Sequence, residues 1–218
     1  MSGIQQMLTG GTYKAAPPTT IGQAYGGGYY AGKIAVGGGG VATHYLIVAP
    51  KASGEASGKK WGPYGIGTGI TSVINGPTNS ASLTALGVSY EAAVFAEGLT
   101  IGGYSDWYLP AKNELEVLYY FLKPTTDANN AANGSNANAV SPEPISTNYT
   151  SGSPAQTSAG IGFRTGETNA FTSFNYWSST ESDSGTAWEG FFLNGGQRVR
   201  AKDYTATSYV RAVRRVPV

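Results

Sequence analysis

Few residues in this 218-residue chain have the type and spacing to do chemistry. His44 is the single histidine, so a serine-histidine-aspartate relay would have to run through it. No Gly-x-Ser-x-Gly elbow accompanies it, and it reads as a histidine satisfied within a strand. Glu181 and Asp183 lie close in sequence and are the carboxylates a glycosidase could use, a task that needs a set separation across the sugar. The run Gly37–Gly40 precedes a strand instead of opening a helix, and no Gly-Lys-Ser/Thr follows, so it makes no phosphate cradle. The 13 acidic residues are scattered, which argues against a dedicated calcium cage. The absence of cysteine removes disulfides, thiolate metal sites and cysteine nucleophiles. The expectation is a chain with no catalytic centre, no metal and no cofactor.

Recognition is the chemistry that remains. From Ser182 to Tyr204 the chain reads S-D-S-G-T-A-W-E-G-F-F-L-N-G-G-Q-R-V-R-A-K-D-Y. Aromatic anchors alternate there with Ser, Asp, Gly, Asn and Arg, the composition of a paratope, in which rigid rings supply contact area and small polar side chains adapt. The competing reading of each residue is an ordinary solvated sheet face.

Short strands must carry these side chains. Tyr176–Ser178, Trp188–Leu193, Gln197–Lys202 and Tyr209–Arg215 have the pattern, with Asn194-Gly195-Gly196 as a hairpin turn between the second and third. The last alternates, with Val210, Ala212 and Arg214 on one face and Tyr209, Arg211 and Val213 on the other, so at least one arginine must approach a packed surface. Upstream, Tyr45–Val48 is a buried strand ended by Pro50. A helix is expected over Ser89–Glu97, stopped by Gly98. Another lies between Pro110 and Pro124, where Leu115, Leu118, Tyr119 and Leu122 make one apolar face.

Trp107, Leu109, Leu115, Trp177 and Trp188 are the expected core and helix–sheet seam, and Trp61, Tyr64 and Ile66 are packing points in a loop-like stretch. Glu114 supplies half of a capping box, with Ala111 where Ser or Thr would complete it. Ser105 and Asp106 read as turn formers. The Asn-rich tract Thr125–Gly162 is a long loop, functional or partly mobile. The fold class is α+β, two helices preceding a mainly antiparallel sheet.

Charged residues are 12% of the chain and the formal net charge is +1, which offers no general attraction to nucleic acid or to an anionic membrane. No apolar run is long enough to span a bilayer. The start M-S-G-I-Q-Q-M lacks the basic and apolar regions of a signal peptide. Residues 1–40 are rich in Gly, Ala, Pro and Thr and cannot build a core alone. They are either a flexible leader or an extended anchoring and oligomerisation segment, which Tyr13, Tyr25, Tyr29 and Tyr30 favour; residues 41–218 form the domain proper.

The strings G-Y-S-D-W-Y-L-P-A-K-N-E-L, Y-W-S-S-T-E, A-W-E-G-F-F and Y-V-R-A-V-R-R-V, in that order, resemble the DUF1566 branch of the C-type lectin-like fold over roughly Tyr45–Val218. Relatives on that fold include bacterial adhesin domains, formylglycine-generating enzymes and diversified phage receptor-binding proteins. The M-S-G-I-Q-Q-M leader, with Y-L-I-V-A-P-K-A-S-G-E and L-K-P-T-T-D-A-N-N, is similar to tail-fibre and other receptor-binding proteins of tailed bacteriophages.

The resemblance implies a non-catalytic virion protein, assembled in the host cytoplasm and placed on the tail or particle surface. It would attach to a host-surface receptor, glycan or protein, as a homo-oligomer, by family a trimer, with residues 1–40 holding other virion proteins. By position it assigns receptor contact to Asp183, Ser184, Thr186, Glu189, Phe191, Gln197, Arg198, Arg200 and Tyr204. The formylglycine chemistry needs cysteine, and the Glu-Pro-Asn or Gln-Pro-Asp ligands of calcium-dependent lectins do not occur. The alternative is a capsid or tail decoration, or a fibre component, whose lectin-like domain is an assembly module; a bacterial adhesin would require export.

Overall fold

Residues 16–218 are described by a computed structural model, and their strands fall into two sheets. In chain order the elements are β1 (Ala24–Tyr25), β2 (Gly28–Ile34), β3 (His44–Val48), α1 (Lys51–Gly54), β4 (Glu55–Ser57), α2 (Gly76–Ala85), α3 (Glu91–Glu97) and α4 (Lys112–Leu122). They continue with β5 (Asn175–Glu181), β6 (Thr186–Phe191), β7 (Gly196–Ala201), β8 (Ser208–Arg211) and β9 (Val213–Pro217). The first sheet has the order β1-β2-β3-β9, and the second β4-β8-β5-β6-β7. Every pairing is antiparallel except β5 with β8. The class is therefore α+β, with four helices among the described residues where two were expected.

The single strand expected over Tyr209–Arg215 is two strands, one in each sheet. Ala212 sits at the crossing, fully buried, and its backbone is clasped on both sides: Ala49 N–H donates to the Ala212 carbonyl at 3.0 Å, and Ala212 N–H donates to Gly54 at 2.9 Å. Alternation persists through such a crossing, so the sequence pattern shows no break.

Around this crossing three arginines are taken out of water, each with an acid. Arg211, with no exposed surface, donates to Glu55 at 2.9 Å, to the Ala49 carbonyl at 2.8 Å and to the Asn169 carbonyl at 3.2 Å. Arg214 forks onto Asp106 at 2.7 and 2.8 Å, so Asp106 anchors a guanidinium, and the turn lies before it at Gly102–Gly103. Arg215 donates to Glu114 at 2.7 Å. The same Glu114 carboxylate accepts Ala111 N–H at 2.8 Å, completing the expected half of the capping box.

Helix α4 forms as its periodicity requires. Leu115, Leu118, Tyr119 and Leu122 are buried, each worth about 1.5–3 kcal/mol of transfer free energy. Two glycines set its distance from the sheets. A Cβ at Gly190 would stand 3.1 Å from Leu115, and one at Gly195, whose φ is +73°, would stand 2.3 Å from the Tyr119 ring. Helix α2 was not anticipated, because its Gly-Pro-Thr-Asn-Ser-Ala-Ser-Leu-Thr-Ala sequence buries one large apolar side chain, Leu83, and shows no stripe. Helix α3 begins at Glu91 rather than Ser89, after Tyr90, which packs edge-on against Trp61.

Trp107, Leu109, Leu115 and Trp177 are core residues, but Trp188 is half-buried, with the Lys112 ammonium 3.9 Å over its ring. Trp61 is fully buried and donates to the Ser178 carbonyl at 2.8 Å, whereas Tyr64 and Ile66 are exposed. Gly62 and Pro63 carry the chain outward past Trp61 before either can pack.

The division at residue 40 also differs from the structure. Residues 1–15, with Tyr13, lie outside the described residues. β2 pairs with β3 and buries Tyr30, Ala31 and Ile34, so the described stretch from Ala24 onward belongs to the same sheet as the later domain.

The tract Thr125–Gly162 is held by buried amides. Asn129 accepts from the Tyr119 hydroxyl at 2.6 Å and donates to the Pro154 carbonyl at 2.9 Å. Asn136 donates to the Asn113 carbonyl at 3.0 Å, and Asn138 donates to the Ala35 carbonyl at 2.8 Å. Lys123, also buried, donates to Asn129 at 2.8 Å and to the Asp127 carbonyl.

Replacing Arg211 by Met should leave Glu55 without its main counter-charge and cost about 3–5 kcal/mol in urea unfolding. A loss below about 1 kcal/mol would show that the pair is dispensable.

Candidate functional site

The β6–β7 register decides which candidate residues share a face. Glu189 lies opposite Arg198, Ala187 opposite Arg200, and Phe191 opposite Gly196, while Trp177 on β5 lies opposite Glu189. Because directly opposed residues point the same way, Glu189, Phe191, Arg198 and Arg200 come to one face of the second sheet. Tyr204, just beyond β7, joins them through Arg200, whose guanidinium carbon is 4.5 Å from its ring centre.

The arginines are laid along this face and do not project freely. Arg198 stands 4.4 Å over Phe191 and donates from Nε to Asn175 Oδ1 at 3.0 Å, with Nη2 on the same oxygen. Arg200 donates from Nε to Glu189 at 3.3 Å. Glu189 was expected to meet a receptor, but it is 2% exposed. Its second oxygen accepts from Ser208 at 2.6 Å. Burial pushes its carboxyl up, and Ser208 and Arg200 pull it back. It is the support beneath Arg200 and is not itself a contact residue.

Nη1 of Arg198 and both terminal nitrogens of Arg200 have no protein acceptor among the described residues. Two residues apart on a strand, the guanidinium groups spring from Cα atoms about 6.5–7 Å apart. They offer fixed, charged donors beside two aromatic rings, chemistry suited to binding an acceptor-bearing partner.

The remaining candidates lie elsewhere. Asp183 and Ser184 are exposed at the β5–β6 turn. Asp183 accepts the Thr186 hydroxyl and the Gly185 and Thr186 N–H groups, each at 2.8 Å, and these bonds hold its pKa below the ordinary value. Asp183 and Thr186 thus satisfy each other and shape the turn. Gln197 is on the opposite face, beside Leu115 and Glu116 under α4. Asn175 and Ser208, which orient Arg198 and Glu189, were missed; both lie at the ends of strands and match no motif.

Glu181, the carboxylate weighed for glycosidase chemistry, pairs with buried Lys202 and accepts Thr68 N–H at 2.8 Å and Gly69 N–H at 2.7 Å. Burial alone would raise its pKa, but Lys202 and the two backbone donors outweigh it and hold the carboxyl low. A general acid needs the reverse. His44 stands in β3 with Nδ1 3.0 Å from the Thr43 hydroxyl, and burial and Arg215 lower its pKa.

Residues 74–214 match the Lcl C-terminal domain, found in bacterial proteins. The match spans well over half of the chain and includes the whole Arg198–Arg200 face, and the chain belongs to that family. No curated protein matches the chain.

Arg200→Ala should cost about 1–3 kcal/mol by stranding the buried Glu189 charge, and adding Glu189→Gln should recover most of it in a double-mutant cycle. The folded-state pKa of Glu181 lies below its unfolded value. Its contribution to stability is therefore full above about 4.5, the ordinary glutamate value, and is lost as pH falls through the lower folded value. Glu181→Gln should be less stable at pH 7 and should flatten the acid limb of a stability-against-pH curve.

Proposed function

We propose that this member of the Lcl C-terminal domain family is a non-catalytic virion protein of a tailed bacteriophage, a tail fibre or tip protein that binds a host-surface receptor. The observation that carries the reading is the Arg198–Arg200 face: charged donors held in place from behind by Asn175 and Glu189, backed by Phe191 and Tyr204, and still open on their outer side. Pre-orientation of this kind lowers the ordering cost of binding. Arginine and tyrosine are the side chains that most often dominate an interface.

The virion assignment draws on the leader and loop strings that resemble phage receptor-binding proteins. The C-type lectin-like assignment, of the DUF1566 type, draws on the order of the aromatic and arginine motifs, and the α+β arrangement with α4 packed against both sheets is compatible with it. A trimer would give weak single sites avidity on a cell surface. Asp183 and Ser184, exposed at the neighbouring turn, extend the available contact surface.

The test is binding of purified protein to host cells. Arg198→Ala combined with Tyr204→Ala removes the outer groups and leaves the Glu189–Arg200 pair intact. Binding should fall by at least about tenfold, the effect of one modest interface hot spot, while the circular dichroism spectrum shows the fold retained. Unchanged attachment would overturn the reading, and attachment to other virion proteins in place of cells would favour an assembly module.

A further inference from the structure

Five glutamates are buried in the described residues, and they divide into two groups. Glu114, Glu181 and Glu189 each have an arginine or lysine at ion-pair distance. Glu116 on α4 and Glu143 on the long loop have none among the described residues, although they are 4% and 2% exposed. Both oxygens of Glu116, Oε2 of Glu143 and the Tyr149 hydroxyl are buried without a hydrogen-bond partner.

These orphans share one neighbourhood: Asn136, 3.5 Å from Glu143, also donates to the Asn113 carbonyl one turn before Glu116, and the Tyr149 ring packs against Tyr119 and Tyr120 of the same helix, 5.8 and 6.4 Å between ring centres. Burial raises the pKa of all three groups, and the Glu116 charge acts on both Glu143 and Tyr149. Glu116 is pushed up to about 7. The Gly134 N–H, the Tyr149 hydroxyl and the Gln197 amide lie beside Glu116 without reaching hydrogen-bond geometry, and all are uncharged. Lys112, one turn earlier, is the nearest cation, but its ammonium sits over Trp188. Glu143 Oε1 has only a 3.5 Å contact from Asn136.

We propose that a hard cation of the calcium type binds between α4 and the long loop, with Glu116 and Glu143 as its carboxylate ligands and the Tyr149 oxygen beside them. The reasoning is by charge and donor type. Every other buried glutamate in this fold is neutralised, two carboxylates brought together in a dry site repel, and an all-oxygen donor set selects calcium or magnesium over softer metals. Such an ion would join the helix beneath β7 to the loop pinned at Asn129, Asn136 and Asn138. The site is independent of the receptor face.

Terbium is a luminescent stand-in for calcium that nearby tyrosine rings sensitise. Titration of the full chain at pH 7.5 should give saturable, tyrosine-excited terbium emission that calcium displaces, and calcium should raise the melting temperature of chelator-treated protein. Glu116→Gln and Glu143→Gln should each weaken terbium binding by at least about tenfold, and Tyr149→Phe should dim the emission. If one variant does not fold, the wild-type competition and the other variant still decide. No displaceable terbium signal and no calcium effect on melting would overturn the site. So would a melting temperature that rises from pH 7.5 to 5 with no response to metal, since the pair would then be protonated acids.

Discussion

Guanidinium groups cannot enter an apolar interior without a carboxylate and acceptors to replace water, and this chain places three of them along one five-residue stretch. Arg211 lies where the two sheets meet, fully enclosed, and its partners come from the end of β3, from β4 and from the loop before β5. Arg214 and Arg215 bind Asp106 and Glu114, which flank the approach to α4. Segments far apart in sequence are thereby fixed relative to one another by groups whose geometry is planar and directional. Hydrophobic burial supplies most of the stabilisation, but it is non-directional. The arginines set the register in which it is collected.

The same logic continues outward to the surface. Glu189 is a buried acid whose cation, Arg200, is partly exposed, so one ion pair spans the interior and the solvent. The inner member holds the outer one still. Arg198 is treated likewise by Asn175, and each guanidinium rests on a ring. The exposed face is therefore built mainly from the second sheet, with Tyr204 added from just beyond β7.

Elements with a local periodic pattern were legible in the sequence: β3, α4, the β6–β7 hairpin and, within two residues, α3. Helix α2 was not, because packing against α3 and β5 holds a sequence with no stripe of its own. The β8–β9 division was hidden because a strand that changes sheets keeps its alternation. Trp188 was assigned to the core by size, but its place on the outer part of β6 leaves one side to Lys112. Of the nine candidate contacts, Phe191, Arg198, Arg200 and Tyr204 converge. Glu189 turns to a buried partner and Gln197 to the α4 side for one reason: composition shows that a strand is amphipathic, but only the register shows which way each polar residue faces. The Asn-rich tract read as a loop and is one, yet nothing local reveals that its amides are buried acceptors and donors.

The contact between Gly195 and Tyr119 divides the hairpin by its tolerance to change. Position 195 resists any side chain, since a Cβ there would stand 2.3 Å from a carbon of the Tyr119 ring, and its φ is one that other residues avoid. Position 190 is tight, since a Cβ there would stand 3.1 Å from the Leu115 side chain, and position 189 is held by the charge it must supply to Arg200. Asp183 is bound to its own turn, while Ser184 carries no such duty. The surface that a population of variants could explore is accordingly a small set of outward positions. Side chains at those positions can be exchanged on a fixed lattice, while an added side chain at the hairpin end would press on Tyr119.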